Sequence, residues 1–452
     1  MDTTQKTRFQ IDNTEPRSVG RAVLVVLSIA SNRSNSDDPD LAAQRCDAAR
    51  LEEAIGLAAA IDLEVVHSGI VTLQKVKPGT LLGVGKVEEI KGIVAALDAG
   101  LVIVDHPLSP VQQRNLENAW EAKVLDRTGL ILEIFGARAQ TKEGRLQVEL
   151  AHLNYQRGRL VRSWTHLERQ RGGGGGSGGF LGGPGETQIE SDRRQLQERI
   201  DSLKKDLAKV SRTRSLHRAK RKRVPHPVIA LVGYTNAGKS TLFNRLTGAG
   251  VVAKDMLFAT LDPTLRRLEL PQGTLAIFSD TVGFVSDLPT HLVAAFRATL
   301  EEVIEADLIL HVRDAANPDS GAQAQDVYAV LDQLGIGDDG HRNVIEVWNK
   351  IDLLHPSQLE SMRETRKCEE GPFFVSAITG EGIDDLLPAV ENRVAGSHAL
   401  REIRLGLDAM GNLDWIYSNT QVVDRIDNDD GSLQLTLRVA PAVQEELESR
   451  LA

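Results

Sequence analysis

The chain reads as an α/β protein: a P-loop domain, preceded by a small α/β N-terminal domain with a helical hairpin and followed by a small α+β domain. Three observations predict this. First, Gly233-Tyr234-Thr235-Asn236-Ala237-Gly238-Lys239-Ser240-Thr241 fits the phosphate-binding pattern Gly-x-x-x-x-Gly-Lys-[Ser/Thr], between the strand-like run Val228–Val232 and the helix-like Leu242–Leu246. Second, upstream of it, β-branched apolar runs alternate with alanine- and leucine-rich helical ones. Third, two charged helical stretches flank a glycine-rich run, Gly172 to Gly179, that continues through Phe180-Leu181-Gly182-Gly183-Pro184-Gly185-Glu186 and cannot be helix. The expected domains are 1–138, 139–224, 225–394 and 395–452.

Residues 1–20 and 31–38 are polar and expected to be mobile, and Ala22 to Ile29 between them is strand-like. Asp40 to Ala60 is helical, Leu63 to Val71 a strand, Val87 to Leu97 a helix, Leu101 to Asp105 a strand and Ser109 to Trp120 a helix. Arg138 to Gln170 and Thr187 to Arg218 have helical composition; Leu196, Ile200, Leu203, Leu207 and Val210 recur at helical spacing in the second. Two helices around a glycine loop predict an antiparallel hairpin, unless the glycines are a passive linker. Pro225 and Pro227 end the second helix. Beyond Arg401, strand-like Ile403–Leu407, Gln421–Ile426 and Leu433–Val439 precede a helical Ala440–Leu451.

A chain of 452 residues implies two to four domains. Hydrophobic content of 41% and charged content of 26% are those of a soluble globular protein. No apolar run reaches the roughly 18 residues of a membrane span. The first residues lack a signal peptide's apolar core. The 2 cysteines, Cys46 and Cys368, have no metal-ligand spacing and read as reduced structural thiols, so a cytoplasmic protein is expected, and a monomer is the expected state. A net charge of −10 argues against nucleic acid as a whole-chain partner. Arg193 to Arg223 is nevertheless strongly basic, and reads either as a solvated helix face or as a face that meets polyanion.

The chemistry lies in four motifs. In the first, glycines let backbone N–H groups converge on phosphate oxygens at a helix N-terminus. Lys239 is expected to reach the β- and γ-phosphates, and Ser240 to ligate Mg²⁺. Asp280-Thr281-Val282-Gly283 follows the apolar run Leu275–Phe278; the Asp belongs to the Mg²⁺ shell and the Gly283 N–H to the γ-phosphate. Asn349-Lys350-Ile351-Asp352 selects the base. The Asp352 carboxylate accepts from guanine N1–H and the exocyclic amine, a pair adenine lacks. Asn349 is assigned the base's other polar edge and the Lys350 stem a base face. Ser376-Ala377-Ile378, after Phe373–Val375, fits the loop over the guanine. Between the first two motifs, Phe258-Ala259-Thr260-Leu261-Asp262-Pro263-Thr264 fits a switch segment, and spacing leaves Thr260 and Thr264 both open as the Mg²⁺ threonine. GTP is thus the expected substrate. Ras-type GTPases carry Gln immediately after Asp-x-x-Gly to orient water; here that residue is Phe284, which cannot. Asn236, fourth in the P-loop, is either a loop stabiliser or the recruiter of a K⁺ ion beside the phosphates, as in other GTPases with Asn at this place.

Longer motifs make the chain resemble the HflX-type ribosome-associated GTPases. They are Asp105-His106-Pro107-Leu108-Ser109-Pro110-Val111-Gln112-Gln113-Arg114-Asn115-Leu116-Glu117, the run Asp126 to Phe135 continuing through Glu143 to Leu150, and Gly183-Pro184-Gly185-Glu186-Thr187-Gln188-Ile189-Glu190 with Asp192-Arg193-Arg194. The segment Phe258 to Thr264 matches the family's switch, and the resemblance selects Thr260 for Mg²⁺. With the motifs above, the expected catalytic residues are Lys239, Thr260, Gly283 and Asn236. The resemblance implies GTP hydrolysis coupled to binding the large ribosomal subunit and its rRNA through the N-terminal domain and hairpin, with splitting or rescue of stalled ribosomes under stress. An apolar residue at Phe284 also fits. The run Gly172 to Gly179 is longer than the family pattern and resembles a flexible linker. The alternative is an RNA-remodelling factor using ATP as well as GTP; Gly79 with Gly83-Val84-Gly85-Lys86 is too short for a second P-loop.

Overall fold

The computed structural model describes residues 20–29, 47–171, 184–221, 226–249, 257–258, 260, 263–286, 297–336, 343–364, 372–395, 399–428, 431–439 and 441–451. The expectations for residues 1–19 and 31–38, for the glycine loop and for the end of the basic run at Lys222 and Arg223 lie outside them, as do Ala259, Leu261 and Asp262. The chain forms two compact units, Met1–Lys209 with Met256–Phe258 and Leu288–Ala295, and Val210–Asp255 with Ala259–Asp287 and Phe296–Ala452.

In the first unit β1 (Arg21–Ile29), α1 (Asp47–Ala59), β2 (Glu64–Leu73), α2 (Val84–Ala96), β3 (Leu101–Asp105), α3 (Pro110–Trp120), β4 (Lys123–Asp126) and α4 (Arg127–Arg138) alternate. The parallel sheet has the order β2-β1-β3-β4. β1 is one of its two inner strands and Ala22 to Leu27 are all buried, which is why it reads as an unbroken apolar run instead of an alternating one. α3 begins with a full capping box: Ser109 Oγ accepts from the Gln112 N–H and Gln112 Oε1 accepts from the Ser109 N–H, with Pro110 at the first helical position. Asp126 caps α4 by accepting from the Gly129 N–H at 2.8 Å. Below the cap, Arg127 is buried between Asp105 and Glu53. These two carboxylates hold its guanidinium firmly charged, above its ordinary value, against the opposing effect of burial. β4 and α4 went unread by periodicity because β4 has only four residues and runs directly into its helix.

Helices α5 (Lys142–Arg171) and α6 (Pro184–Arg221) follow. Arg199 grips Glu149 at 2.6 Å, Arg157 donates to Gln197 at 2.8 Å, and Ile200 and Leu203 are buried. α6 starts three residues earlier than the Thr187 expected from the glycines, because proline is tolerated in a helix's first turn.

The second unit carries β5 (Val228–Gly233), α7 (Lys239–Thr247), β6 (Thr264–Glu269), β7 (Leu275–Asp280), α8 (Arg297–Ile304), β8 (Leu308–Asp314), α9 (Ser320–Gln333), β9 (Val344–Asn349), α10 (Pro356–Glu364), β10 (Phe373–Phe374) and α11 (Ile383–Ala395). The sheet order is β10-β9-β8-β5-β7-β6, parallel except for the antiparallel edge strand β6. Chain order reverses on either side of β5, so the loops after β5, β7, β9 and β10 open at one end of the sheet, where α/β folds bind ligands. The last segment is β11 (Ala399–Leu405), α12 (Leu413–Asn419), β12 (Gln421–Asp427), β13 (Leu433–Val439) and α13 (Pro441–Leu451). Its antiparallel sheet, β11-β13-β12, buries Leu405, Leu433, Leu435, Leu437 and Val439 with Ile416 and Leu447 of the helices. β11 stops at Leu405, two residues short of the expected end, where a short helical turn at Leu407–Asn412 takes over. No helix among the described residues is long and apolar enough to cross a membrane.

Candidate nucleotide site

The phosphate loop leaves β5 at Gly233 and enters α7 at Lys239. Gly238 has φ +90° and caps the helix; a Cβ there would lie 2.2 Å from Asn349 Nδ2, so both conformation and space require glycine. Lys239 is buried, and its Nζ donates to the Gly233 and Tyr234 carbonyls at 3.1 and 2.8 Å. Burial pushes its ammonium down to about 8, with the Asp280 carboxylate acting in the opposite direction. Asn236 is exposed, with φ +60°, at the turn of the loop. Ala237 is buried, the Tyr234 hydroxyl accepts a hydrogen bond from the Ser286 N–H at 2.8 Å, and Thr241 is half-buried in the first turn of α7.

Three oxygens converge beside this loop. Asp280 Oδ2 accepts from Ser240 Oγ at 2.7 Å and from Thr260 Oγ1 at 2.9 Å, and the two hydroxyls lie 3.0 Å apart. Thr260 therefore brings its hydroxyl to this cluster, while Thr264 opens β6 opposite Asp280 in the sheet register. The other carboxylate oxygen, Asp280 Oδ1, is buried without a hydrogen-bond partner. Burial raises the Asp280 carboxyl, opposed by the Ser240 hydrogen bond and the Lys239 charge. An unshared carboxylate oxygen beside two hydroxyls is a hard-oxygen donor set that suits Mg²⁺, an ion that takes few protein ligands and completes its shell with phosphate and water. Among the described residues no group of three or more His, Cys, Asp or Glu is placed to hold a metal.

The Asp-x-x-Gly segment is clamped to the phosphate loop. Thr235 N–H donates to the Phe284 carbonyl at 2.7 Å and Phe284 N–H to the Gly233 carbonyl at 3.1 Å. Thr281 Oγ1 donates to the Leu231 carbonyl at 2.6 Å, and Val282 is buried beside it. A Cβ at Gly283 would sit 2.8 Å from Thr235 Cγ2 and 3.0 Å from Lys239 Nζ, so only glycine fits this approach. The Phe284 ring is 2% exposed and turned into the core.

At the base end, Ser376, itself fully buried, donates from Oγ to Asp352 Oδ1 at 2.6 Å. Asn349 is buried and engaged at both ends: Nδ2 donates to the Ala237 carbonyl and Oδ1 accepts from the Ala377 N–H, each at 2.9 Å. It thus ties the first, third and fourth motifs together, a role the sequence reading did not assign. Lys350, with φ +67°, pairs with Asp314 at 2.8 Å, a partner the sequence did not single out. Ile351 is buried under the loop and Ile378 is 69% exposed. Phe258 groups with the first unit, is 2% exposed, and has its ring edge-on to Phe135 at 4.7 Å. No local sequence signal separates such a buried phenyl from one that faces a nucleotide.

A mostly parallel sheet with a glycine-lined phosphate loop, a hydroxyl–carboxylate cluster beside it and an Asn-Lys-x-Asp loop whose carboxylate is held by Ser376 marks the class of P-loop GTPases. Four family models match in series: "GTP-binding GTPase N-terminal" over residues 48–136, "GTP-binding GTPase Middle Region" over 138–221, "50S ribosome-binding GTPase" over 228–350 and "HflX C-terminal domain" over 361–452. The chain belongs to the HflX GTPase family. It is similar to the GTPase HflX of Magnetococcus marinus, at 48% identity over 87% of this chain and 88% of that one. It is also similar to the GTPase HflX of Escherichia coli strain K12, at 45% identity over 80% and 83% of the two chains.

Proposed function

We propose that this GTPase is a Mg²⁺-dependent switch that binds the large ribosomal subunit in its GTP state and splits or rescues stalled ribosomes under stress. The N-terminal unit and the basic face of α6 meet ribosomal RNA, and the protein acts as a cytoplasmic monomer. The observation that carries the reading is the Ser240–Thr260–Asp280 cluster. It unites residues of three separate segments on one carboxylate oxygen, with the second oxygen left to a cation. A segment whose threonine joins the Mg²⁺ shell senses the γ-phosphate, and this is how a GTPase converts hydrolysis into a change of shape. Lys239, Gly283, Thr260 and Asn236 are the residues proposed to act on the phosphates. Mg²⁺, held by Ser240 and Thr260, would neutralise charge developing on the transferring phosphoryl group. K⁺ at Asn236 would add to it. Residues Gly233 to Thr241, Asp280 to Gly283, Asn349 to Asp352 and Ser376 to Ile378 form the proposed nucleotide-binding set, with the switch residues around Thr260.

Exposed Arg193, Arg194, Lys204 and Lys205 on α6 support the RNA reading. A chain of net charge −10 that keeps such a stripe presents one face to a polyanion. The experiment is co-sedimentation with 50S, 30S and 70S particles in GTP-analogue, GDP and nucleotide-free states, alongside GTP turnover with and without 50S. Binding to 50S that follows the nucleotide, with faster turnover, is the expected result. Equal sedimentation in all three states would overturn the switch.

A further inference from the structure

Asn349 ties the phosphate loop to the buried side of the Ser376 loop, and the exposed side of that loop has a tether of its own. The loop folds back on itself: the Ser376 N–H donates to the Glu381 carbonyl at 3.0 Å and the Gly380 N–H to the Ser376 carbonyl at 2.8 Å. Val375 and Ala377 pack in one core with Leu242 and Phe243 of α7, while Ile378 and Thr379 beyond them are exposed. Arg245, also on α7, reaches this exposed turn, and its Nη2 donates to the Thr379 carbonyl at 2.5 Å. Gly380 has φ +94°, and a Cβ there would lie 2.5 Å from Arg245 Nη2 and 3.2 Å from Nε. The guanidinium therefore lies against the turn only because glycine leaves it room. An arginine in the last turn of a helix would by itself do no more than favour the helix end. This one makes a contact 134 residues away.

The hydrogen bonds continue inward from Thr379. Its N–H donates to Ser376 Oγ at 3.1 Å, and Ser376 Oγ donates to Asp352 Oδ1 at 2.6 Å. A hydroxyl accepts and donates at once. Arg245, Thr379, Ser376 and Asp352 thus form one line, from the helix that begins with Lys239 and Ser240 to the carboxylate assigned to the base. We propose that Arg245 is a positioning residue for guanine recognition. By holding Thr379 it keeps the Ser376 hydroxyl, and through it the Asp352 carboxylate, aimed before the nucleotide arrives. Such preorganisation adds affinity without a contact to the ligand. A misaimed carboxylate loses most on a base that offers it two donors. Guanine offers N1–H and the exocyclic amine, whereas hypoxanthine offers N1–H alone, so Arg245 acts on the preference between the two.

The inference rests on the base-reading role of Asp352, and titration of the full chain with GDP and with IDP in Mg²⁺ tests the two separately. Arg245 is exposed, so its replacement leaves the core intact. Arg245→Ala is expected to narrow the preference for GDP over IDP about 3- to 10-fold. Single-turnover hydrolysis at saturating GTP is expected to stay within about twofold of the parent, because the base is held alike in ground and transition states. Arg245→Lys keeps a charged donor and is expected to recover most of the preference. Arg363 of α10 grips the same turn at 3.1 Å, but through the Glu381 side chain and outside the line to Asp352. Arg363→Ala is therefore expected to leave the preference as it is. An unchanged preference in Arg245→Ala would overturn the proposal. So would a loss of GDP and IDP affinity by the same factor, because the arginine would then only stiffen the loop, and so would an equal narrowing in Arg363→Ala. A parent protein that binds GDP and IDP equally would instead sink the role of Asp352, and the proposal with it.

Discussion

Ser376 Oγ donates to Asp352 Oδ1 at 2.6 Å, so a hydroxyl with no exposure of its own aims an exposed carboxylate. That aim is expected to fix which base is read. Hydrogen bonds to a charged group contribute roughly 1.5–3 kcal/mol each. Asp352→Asn is expected to weaken GTP well over tenfold and to favour xanthine nucleotides, whose extra carbonyl needs a donor. Titrations with GTP and XTP check it; a preference for GTP that survives the substitution would refute the assignment.

Nucleotide binding should take up protons near pH 8. Lys239 lies at about 8 because it is buried. Phosphate favours the ammonium and raises that value on binding. Affinity is therefore full below pH 8 and falls as pH rises through and above it. Calorimetry of GDP binding at pH 8 in buffers of different ionisation enthalpy should reveal the uptake, and Lys239→Met should abolish it. Identical heats in all buffers would count against it.

Asn236 is exposed at the turn of the phosphate loop, as a residue that recruits a monovalent cation must be. Turnover in K⁺ is expected to exceed that in Na⁺ at matched ionic strength, and Asn236→Ala to erase the difference. Equal rates of the parent in both salts would eliminate this role.

The basic face of α6 should carry part of the salt dependence of 50S binding. Each Lys or Arg that neutralises a phosphate adds about one to the slope of log affinity against log salt. Replacing Arg193, Arg194, Lys204 and Lys205 with serine should flatten that slope and weaken 50S association, with GDP affinity unchanged. An unaltered slope would place the RNA contact elsewhere.

Stability of the first unit should depend on Arg127. Its removal leaves the buried Asp105 with the longer Arg50 contact at 3.6 Å and takes the guanidinium from Glu53; breaking a fully buried pair costs about 3–5 kcal/mol, and the remaining Arg50 contact makes a smaller loss the expected one. Scanning calorimetry of Arg127→Ala should show a lowered unfolding transition, and an unmoved one would show that the carboxylates reach water.

The sequence by itself determined the phosphate loop, the Asp-x-x-Gly and Asn-Lys-x-Asp motifs, and most strands and helices of both sheets. These are local matters: a glycine with φ +90°, a helix N-terminus or an apolar strand is specified by neighbours in the chain. β3 and β13 match their expected spans at both ends for this reason. Spacing left Thr260 and Thr264 equally open and only the longer family motif selected Thr260; the tertiary structure decided that its hydroxyl meets Asp280. It also decided that Asn349 spans 112 residues to Ala237 and 28 to Ala377, that Phe258 turns to Phe135, and that Thr235 keeps a buried hydroxyl unpaired. The physical reason is the strand order. Placing β5 between β7 and β8 brings loops distant in sequence within hydrogen-bond reach, and no local pattern records which atoms then meet.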